Sequence, residues 1–177
     1  GNLKSSIPAL SADWSIYVLN RATALQLSEM GVSRFVLSPE DGVENMSDLL
    51  REFGHKATVI AYQDTPLFVS ETCAFAGIAG KCSGTKNCVK GELPLMSGKK
   101  ERVLLITQDC RTIVINERPY CIADSLRELA AAGASRFRAD FIYRHYEPEK
   151  VREIWRALIS GKHPTAIFEA NISSALV

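Results

Sequence analysis

The chain has no CxxC pair, no HExxH helix and no GxSxG turn. It therefore lacks the strongest zinc spacing, the zincin signature and the nucleophile elbow of a serine hydrolase. Histidine is scarce. His55, His145 and His163 fall at a helix end, in a loop and in the tail, and none stands beside a Ser or Cys as an obvious base. No apolar run approaches the ~20 residues of a membrane helix, so no membrane partner is expected. The net charge of +1 gives no broad attraction to nucleic acid or anionic lipid. The opening residues Gly1–Ser6 hold no secretory apolar region. With unpaired thiols expected, this points to the cytoplasm.

The 177 residues, 46% hydrophobic and 23% charged, have the makeup of an ordinary globular domain or a piece of a larger one. Trp14–Leu19 is rich in aromatic and β-branched residues and reads as a strand, with residues 1–13 irregular. Asn20 fits a helix N-cap, Arg21–Met30 a helix, and Gly31 its stop. Arg34–Leu37 is a second strand, Asn45–Phe53 a second helix with Met46, Leu49, Leu50 and Phe53 on one face, and Ala57–Tyr62 a third, nearly all-apolar strand. Arg102–Thr107 and Arg111–Asn116 read as a hairpin, Ile122–Ala132 as a helix, and Arg136–Phe141 as a strand. Glu147–Ile159 reads as a last helix burying Val151, Ile154, Trp155 and Leu158.

An internal echo supports a β/α scheme. LSEMGVSRF (27–35) and LAAAGASRF (129–137) are each a helix end, a glycine stop and a strand opening with Arg-Phe. A closed barrel typically needs ~250 residues. The expected fold is therefore α/β: a partial or open (β/α) barrel of parallel strands, interrupted by a cysteine-bearing insertion and a β-hairpin. As one domain it divides into β/α units at 14–65, the insertion and hairpin at 66–121, further β/α units at 122–161, and a tail at 162–177. The remainder of a longer chain, or a homo-oligomer, is expected to complete it.

All five cysteines lie between Cys73 and Cys121, spaced Cys73-x8-Cys82-x5-Cys88 and then Cys110 and Cys121. Four thiolates on loops held by strands can bind zinc or an iron–sulfur cluster. Equally, free cysteine is commonly a small buried hydrophobe. A disulfide framework fits poorly with an odd number and a chain able to build its own core.

In a β/α barrel, ligands meet the C-terminal ends of the strands. Asn20, Glu40, Asp41, Asp64, Glu71, Cys73, Cys121 and Asp140 are expected there. Asn20 is read as a plain cap, and Glu40 and Asp41 as a solvated turn. A carboxylate such as Asp140, inside an otherwise apolar strand, needs a partner, and Arg138 shares its face at i−2.

The order of these pieces resembles the U32 peptidase family, also called collagenase-like proteases. The resemblance is carried by AGKC (79–82), NERPYC (116–121), the helix-to-strand stretch SLRELAAAGASRFRADF (125–141) and PEKV (148–151). It implies β/α-barrel architecture and a peptidase label. Members also act in tRNA or ribosomal RNA hydroxylation and in ubiquinone synthesis, and many hold a [4Fe–4S] cluster. By the same resemblance Cys73, Cys82, Cys88 and Cys121 are the cluster ligands, with Cys110 spare, and Asp140 stands where the family's strand motif has a carboxylate. Arg138 and Asp140 are the catalytic candidates.

Lys81, Lys86, Lys90, Lys99, Lys100 and Arg102 make the insertion locally basic. They form either a solvated loop or a phosphate-contacting surface. Two functions follow as expectations. One is a U32-type enzyme domain acting on RNA, a peptide or a small molecule. The other is a non-catalytic module that binds RNA or protein on the same scaffold.

Overall fold

The computed structural model describes residues 9–82, 92–96 and 101–164. They form two compact units. One comprises the residues up to Thr65 together with Tyr120–Arg144, and the other Pro66–Pro119 together with the residues from His145 onward.

The first unit carries β1 (Leu10–Ala12), α1 (Arg21–Glu29), β2 (Val32–Val36), α2 (Val43–Phe53) and β3 (Ala57–Gln63). β1 pairs parallel with β2, and β2 pairs parallel with β3. Each step is bridged by a helix, as parallel neighbours require. Asn20 accepts the Thr23 N–H at 2.9 Å and starts α1, and Gly31 follows it at φ +86°. On α2 the residues Met46, Leu49, Leu50 and Phe53 recur at helical spacing and are all buried. The Phe53 ring meets Phe35 of β2 edge-on, with centroids 6.1 Å apart. Each such side chain contributes about 1.5–3 kcal/mol by leaving water. These residues form one core with Ala24, Leu27, Ala57, Val59 and Leu129.

The sequence predicts a strand over Trp14–Leu19, and the structure corrects it. The strand lies earlier, at Leu10–Ala12. Asp13 then accepts the Trp14 N–H at 2.7 Å and caps a 3-10 turn over Trp14–Ile16, which ends at Tyr17 in the left-handed region (φ 55°). A local side-chain cap overrides β propensity. Only Val18 returns to the sheet, in a parallel bridge with Leu37.

Later in the same unit come β8 (Tyr120–Cys121), α4 (Leu126–Ala131) and β9 (Phe137–Ala139). β8 pairs antiparallel with β3, and β9 pairs parallel with it. The expected helix over 122–132 is shorter, because Ala123–Ser125 forms a separate 3-10 turn. The expected strand over 136–141 shrinks to three residues. α2 and α4 end against each other. A Cβ placed on Gly54 would overlap the Gly133 carbonyl, and one on Gly133 would lie 2.7 Å from the Leu50 carbonyl oxygen. The parallel sheet follows chain order from β1 to β3, and no closed barrel is formed among the described residues.

The second unit is an antiparallel sheet in the order β4 (Pro66–Ser70), β7 (Arg111–Asn116), β6 (Arg102–Gln108), β5 (Glu92–Met96). The expected β6–β7 hairpin is present. Its turn places Asp109 and Cys110 both at positive φ, 51° and 64°, which matches the twist of paired strands. α3 (Ala74–Ala79) and α5 (Pro148–Ile159) belong to this unit. α5 buries Ile154 and Leu158 as expected, while Trp155 is left exposed. β5, β8 and α3 have no counterpart in the sequence reading. Among the described residues no helix is long and apolar enough to cross a membrane.

Candidate functional site

Side-chain alternation along the parallel strands separates two faces. Phe35, Leu37, Ala57 and Val59 belong to the helix-packed core, and Ala12 and Phe137 pack against it. The opposite face takes the residues between them: Asp13 after β1, Val36 on β2, Thr58 and Ile60 on β3, and Arg138 on β9. Ile60 and Arg138 are register partners. A bulge between Ile60 and Tyr62 then shifts the pattern, so that Tyr62 pairs with Ala139 and its ring meets Phe141, with centroids 5.6 Å apart. Asp140 therefore shares its face with Arg138, and Gln63 moves to that face too.

One ion pair crosses this face. Arg138 Nη2 donates to Asp13 Oδ1 at 2.7 Å and also lies 2.9 Å from Asp140 Oδ2. Asp13 follows β1, and Arg138 is on β9, with β2 and β3 between them in the sheet. Three strand spacings span roughly 14 Å in a flat sheet. Direct contact requires the sheet to curl toward this face and bring its outer strands together at their C-terminal ends. The contact to Asp140 is a close charge approach rather than an aligned hydrogen bond, since Oδ2 accepts no hydrogen bond.

The two carboxylates respond in opposite directions. Burial pushes Asp13 up, but hydrogen bonds from Arg138 and the Trp14 N–H, with the Arg138 charge, leave it below its ordinary range. Burial dominates at Asp140 and leaves it above its ordinary range despite Arg138. Tyr143 is pushed up by burial and by the Asp140 charge. A carboxyl raised beside a guanidinium, at the end of a parallel strand, can exchange a proton with a bound ligand.

The remaining expected residues scatter. Asn20 is the cap it was read to be. Glu40 accepts from the Tyr17 hydroxyl at 3.4 Å, and Asp41 accepts from Asn45 at 2.6 Å. Asp64 is fully buried and accepts from Arg144 Nε at 2.7 Å, with both side chains almost wholly out of water. Glu71 forms an exposed pair with Arg111 in the antiparallel unit. His145 is exposed beside Glu147. Of the basic insertion, Lys86, Lys90, Lys99 and Lys100 lie outside the described residues, and Arg102 pairs with Glu117 at 2.8 Å.

Cys73 is the half-buried N-cap of α3. The buried Thr112 hydroxyl holds its flanks, donating to the Thr72 carbonyl at 2.6 Å and accepting the Ala74 N–H at 2.8 Å. Cys82 is exposed beyond that helix, and Cys110 is exposed at the hairpin tip. Cys121 sits on β8 in the other unit. Its thiol is pushed up chiefly by burial, against the Ala123 N–H hydrogen bond that lowers it. Cys88 lies outside the described residues. Among the described residues no three of His, Cys, Asp and Glu gather as a metal site.

Asp13 and Gln63 are residues of this face that sequence reasoning missed. Asp13 was hidden by reading residues 1–13 as irregular. Gln63 directly follows the predicted third strand, so the signal for it was present. Comparison with family models, curated proteins and solved structures finds no match to this chain.

Proposed function

We propose that this chain is a partial β/α-barrel domain of the U32 peptidase type, an enzyme domain that binds a polar substrate on the concave face of its parallel sheet. The observation that carries this reading is the Asp13–Arg138–Asp140 contact across the curled C-terminal edge. Strand order following chain order and a polar rim at the strand ends are what a piece of such a barrel provides. Asp140 is the proton-transfer group, its carboxyl raised by burial. Arg138 orients Asp140 and stabilises negative charge that develops beside it.

The test is turnover of peptide, RNA and small-molecule substrates by the wild-type chain and by Asp140→Asn. General acid–base catalysis predicts a loss of roughly 10²–10⁴-fold in the variant. Absence of wild-type turnover on all three classes refutes the enzyme reading and leaves a binding module on the same scaffold. Anaerobic reconstitution followed by iron and sulfide analysis addresses the cysteines separately. The family-type ligand set Cys73, Cys82, Cys88 and Cys121 requires iron to be lost in Cys73→Ala and Cys121→Ala but kept in Cys110→Ala.

A further inference from the structure

Among the described residues, four buried polar atoms on the concave face have no hydrogen-bond partner: Arg138 Nε and Asp140 Oδ2 within the ion pair, and Gln63 Oε1 and the Tyr120 hydroxyl beside it. Gln63 is only 2% exposed. Its Nε2 donates to Thr65 Oγ1 at 3.1 Å, but its Oε1 accepts no hydrogen bond. The Tyr120 hydroxyl is likewise buried and unpartnered. The two residues are register partners across the antiparallel β3–β8 pair. Directly opposite residues in such a pair project from the same face, with Cβ atoms about 5 Å apart. By the alternation described above, this is the face that carries Arg138 and Asp140.

Buried polar groups are almost always hydrogen-bonded, so an acceptor and a hydroxyl left unpaired side by side call for an explanation. The neighbouring atoms specify the chemistry. Gln63 Oε1 can only accept, so the missing group must donate. Tyr120 keeps its proton at neutral pH, because burial first, then the Cys121 and Asp41 charges, push it up to about 12. A neutral phenol in this setting donates to an acceptor. A ligand offering a donor and an acceptor side by side, both uncharged, satisfies the two together. A trans peptide bond points its N–H and C=O in opposite directions. A lactam or a primary carboxamide presents them on one edge.

We propose that Gln63 and Tyr120 form a recognition subsite for the lactam or primary carboxamide edge of a small neutral ligand, Gln63 accepting its N–H and Tyr120 donating to its carbonyl oxygen. The proposal deepens the reading of the concave face as a substrate site and names the substrate edge held there. A site built to hydrogen-bond an edge strongly rejects analogues that lack it. Uracil is therefore bound and 1,3-dimethyluracil, which has no N–H, refused. Benzamide is bound and benzoate refused. The first pair reports a nucleobase as the source of the edge, and the second a carboxamide.

The experiment is a titration of the purified chain with these four compounds, followed by NMR chemical shifts, up to ~10 mM, the weak end of measurable affinity. Wild type binds uracil, benzamide or both, at least about tenfold more tightly than the blocked partner. Tyr120→Phe and Gln63→Leu each weaken that binding about tenfold. Tyr120→Phe also serves as the fold control, because it deletes only an unpartnered hydroxyl and is expected to unfold at the same or higher denaturant concentration. Binding of none of the four by wild type, or binding unchanged in both variants, overturns the proposal and leaves the pair bridged by buried water. Asp140→Asn separates the two readings. Amide-edge binding that persists in Asp140→Asn, with no turnover by wild type, refutes the enzyme reading and keeps the subsite. Turnover that is lost in Asp140→Asn but insensitive to Tyr120→Phe does the reverse.

Discussion

β3 and β4 are successive strands separated only by Asp64 and Thr65, yet they meet water very differently. β3 is buried along nearly its whole length, whereas β4 exposes Leu67, Phe68 and Val69, each by about half. Both are apolar in sequence. β3 is paired by β2, β8 and β9, and its outward face packs on helices. Among the described residues β4 is the edge strand of its sheet and pairs with β7 alone. Position in the sheet, not residue type, sets how much of each side chain leaves water. The same contrast runs through the charges. The parallel unit buries an ion pair, Asp64–Arg144, and the antiparallel unit wears its Glu71–Arg111 pair on the surface.

The largest expected effect breaks the buried pair. Arg144→Met removes the guanidinium that faces the buried Asp64 carboxylate and costs about 3–5 kcal/mol in urea unfolding. The double variant Asp64→Leu with Arg144→Met recovers much of the loss, because both charges of the pair are then removed together. Arg111→Met, which removes the exposed counterpart, changes stability little. An equal loss from Arg111→Met and Arg144→Met would erase the distinction between the two units.

Packing sharpens it next. Leu50→Ala opens a cavity in the helix-packed core and costs about 2–5 kcal/mol. Phe68→Ala on the edge strand removes a side chain already half in water and costs much less by the same denaturant measurement. Gly54→Ala follows, at about 1–3 kcal/mol, since its methyl has no room beside the Gly133 carbonyl and a backbone must move. An ordinary helix stop would tolerate that change, so a neutral Gly54→Ala would mean that α2 and α4 do not meet as described.

The smallest effects lie in the pH dependence of the parallel unit, measured as unfolding midpoints across the carboxylate range, roughly pH 3–7. Asp13 is lowered on folding, so its contribution is present at neutral pH and is lost as pH falls through its folded value. Asp140 is raised, so its ionisation opposes folding, and stability is regained as pH falls through its folded value. Asp13→Asn should therefore flatten the acid-side decline, and Asp140→Asn should steepen it. The same slope in both variants would refute the opposed roles assigned to them.

Long periodic segments were legible without coordinates. The α2 face Met46, Leu49, Leu50 and Phe53, the hairpin of β6 and β7, and α5 with Pro148 in its first turn all follow from local spacing and turn chemistry. Short elements were not. β1, β5, β8 and the cut-back β9 are held by their neighbours in the sheet, and few of their residues declare a strand on their own. The Trp14–Leu19 stretch misled because one Asp–backbone hydrogen bond outweighed a run of β-forming residues. Arg138 and Asp140 could be paired from their i, i+2 spacing. Asp13 could not join them, being 125 residues from Arg138 in the chain.

Sequence alone determined the parallel β/α character, the helix stops at Gly31, Gly54 and Gly133, and the clustering of thiols in one stretch of chain. Those are local properties, set by backbone freedom and apolar periodicity. Tertiary structure alone decided that Gly54 and Gly133 also let two helix ends approach, that β4 stays at an edge, and that Asp13, Gln63, Tyr120, Arg138 and Asp140 share one face. Each of these depends on strand register and sheet curvature, which arise only when segments distant in the chain pair and pack.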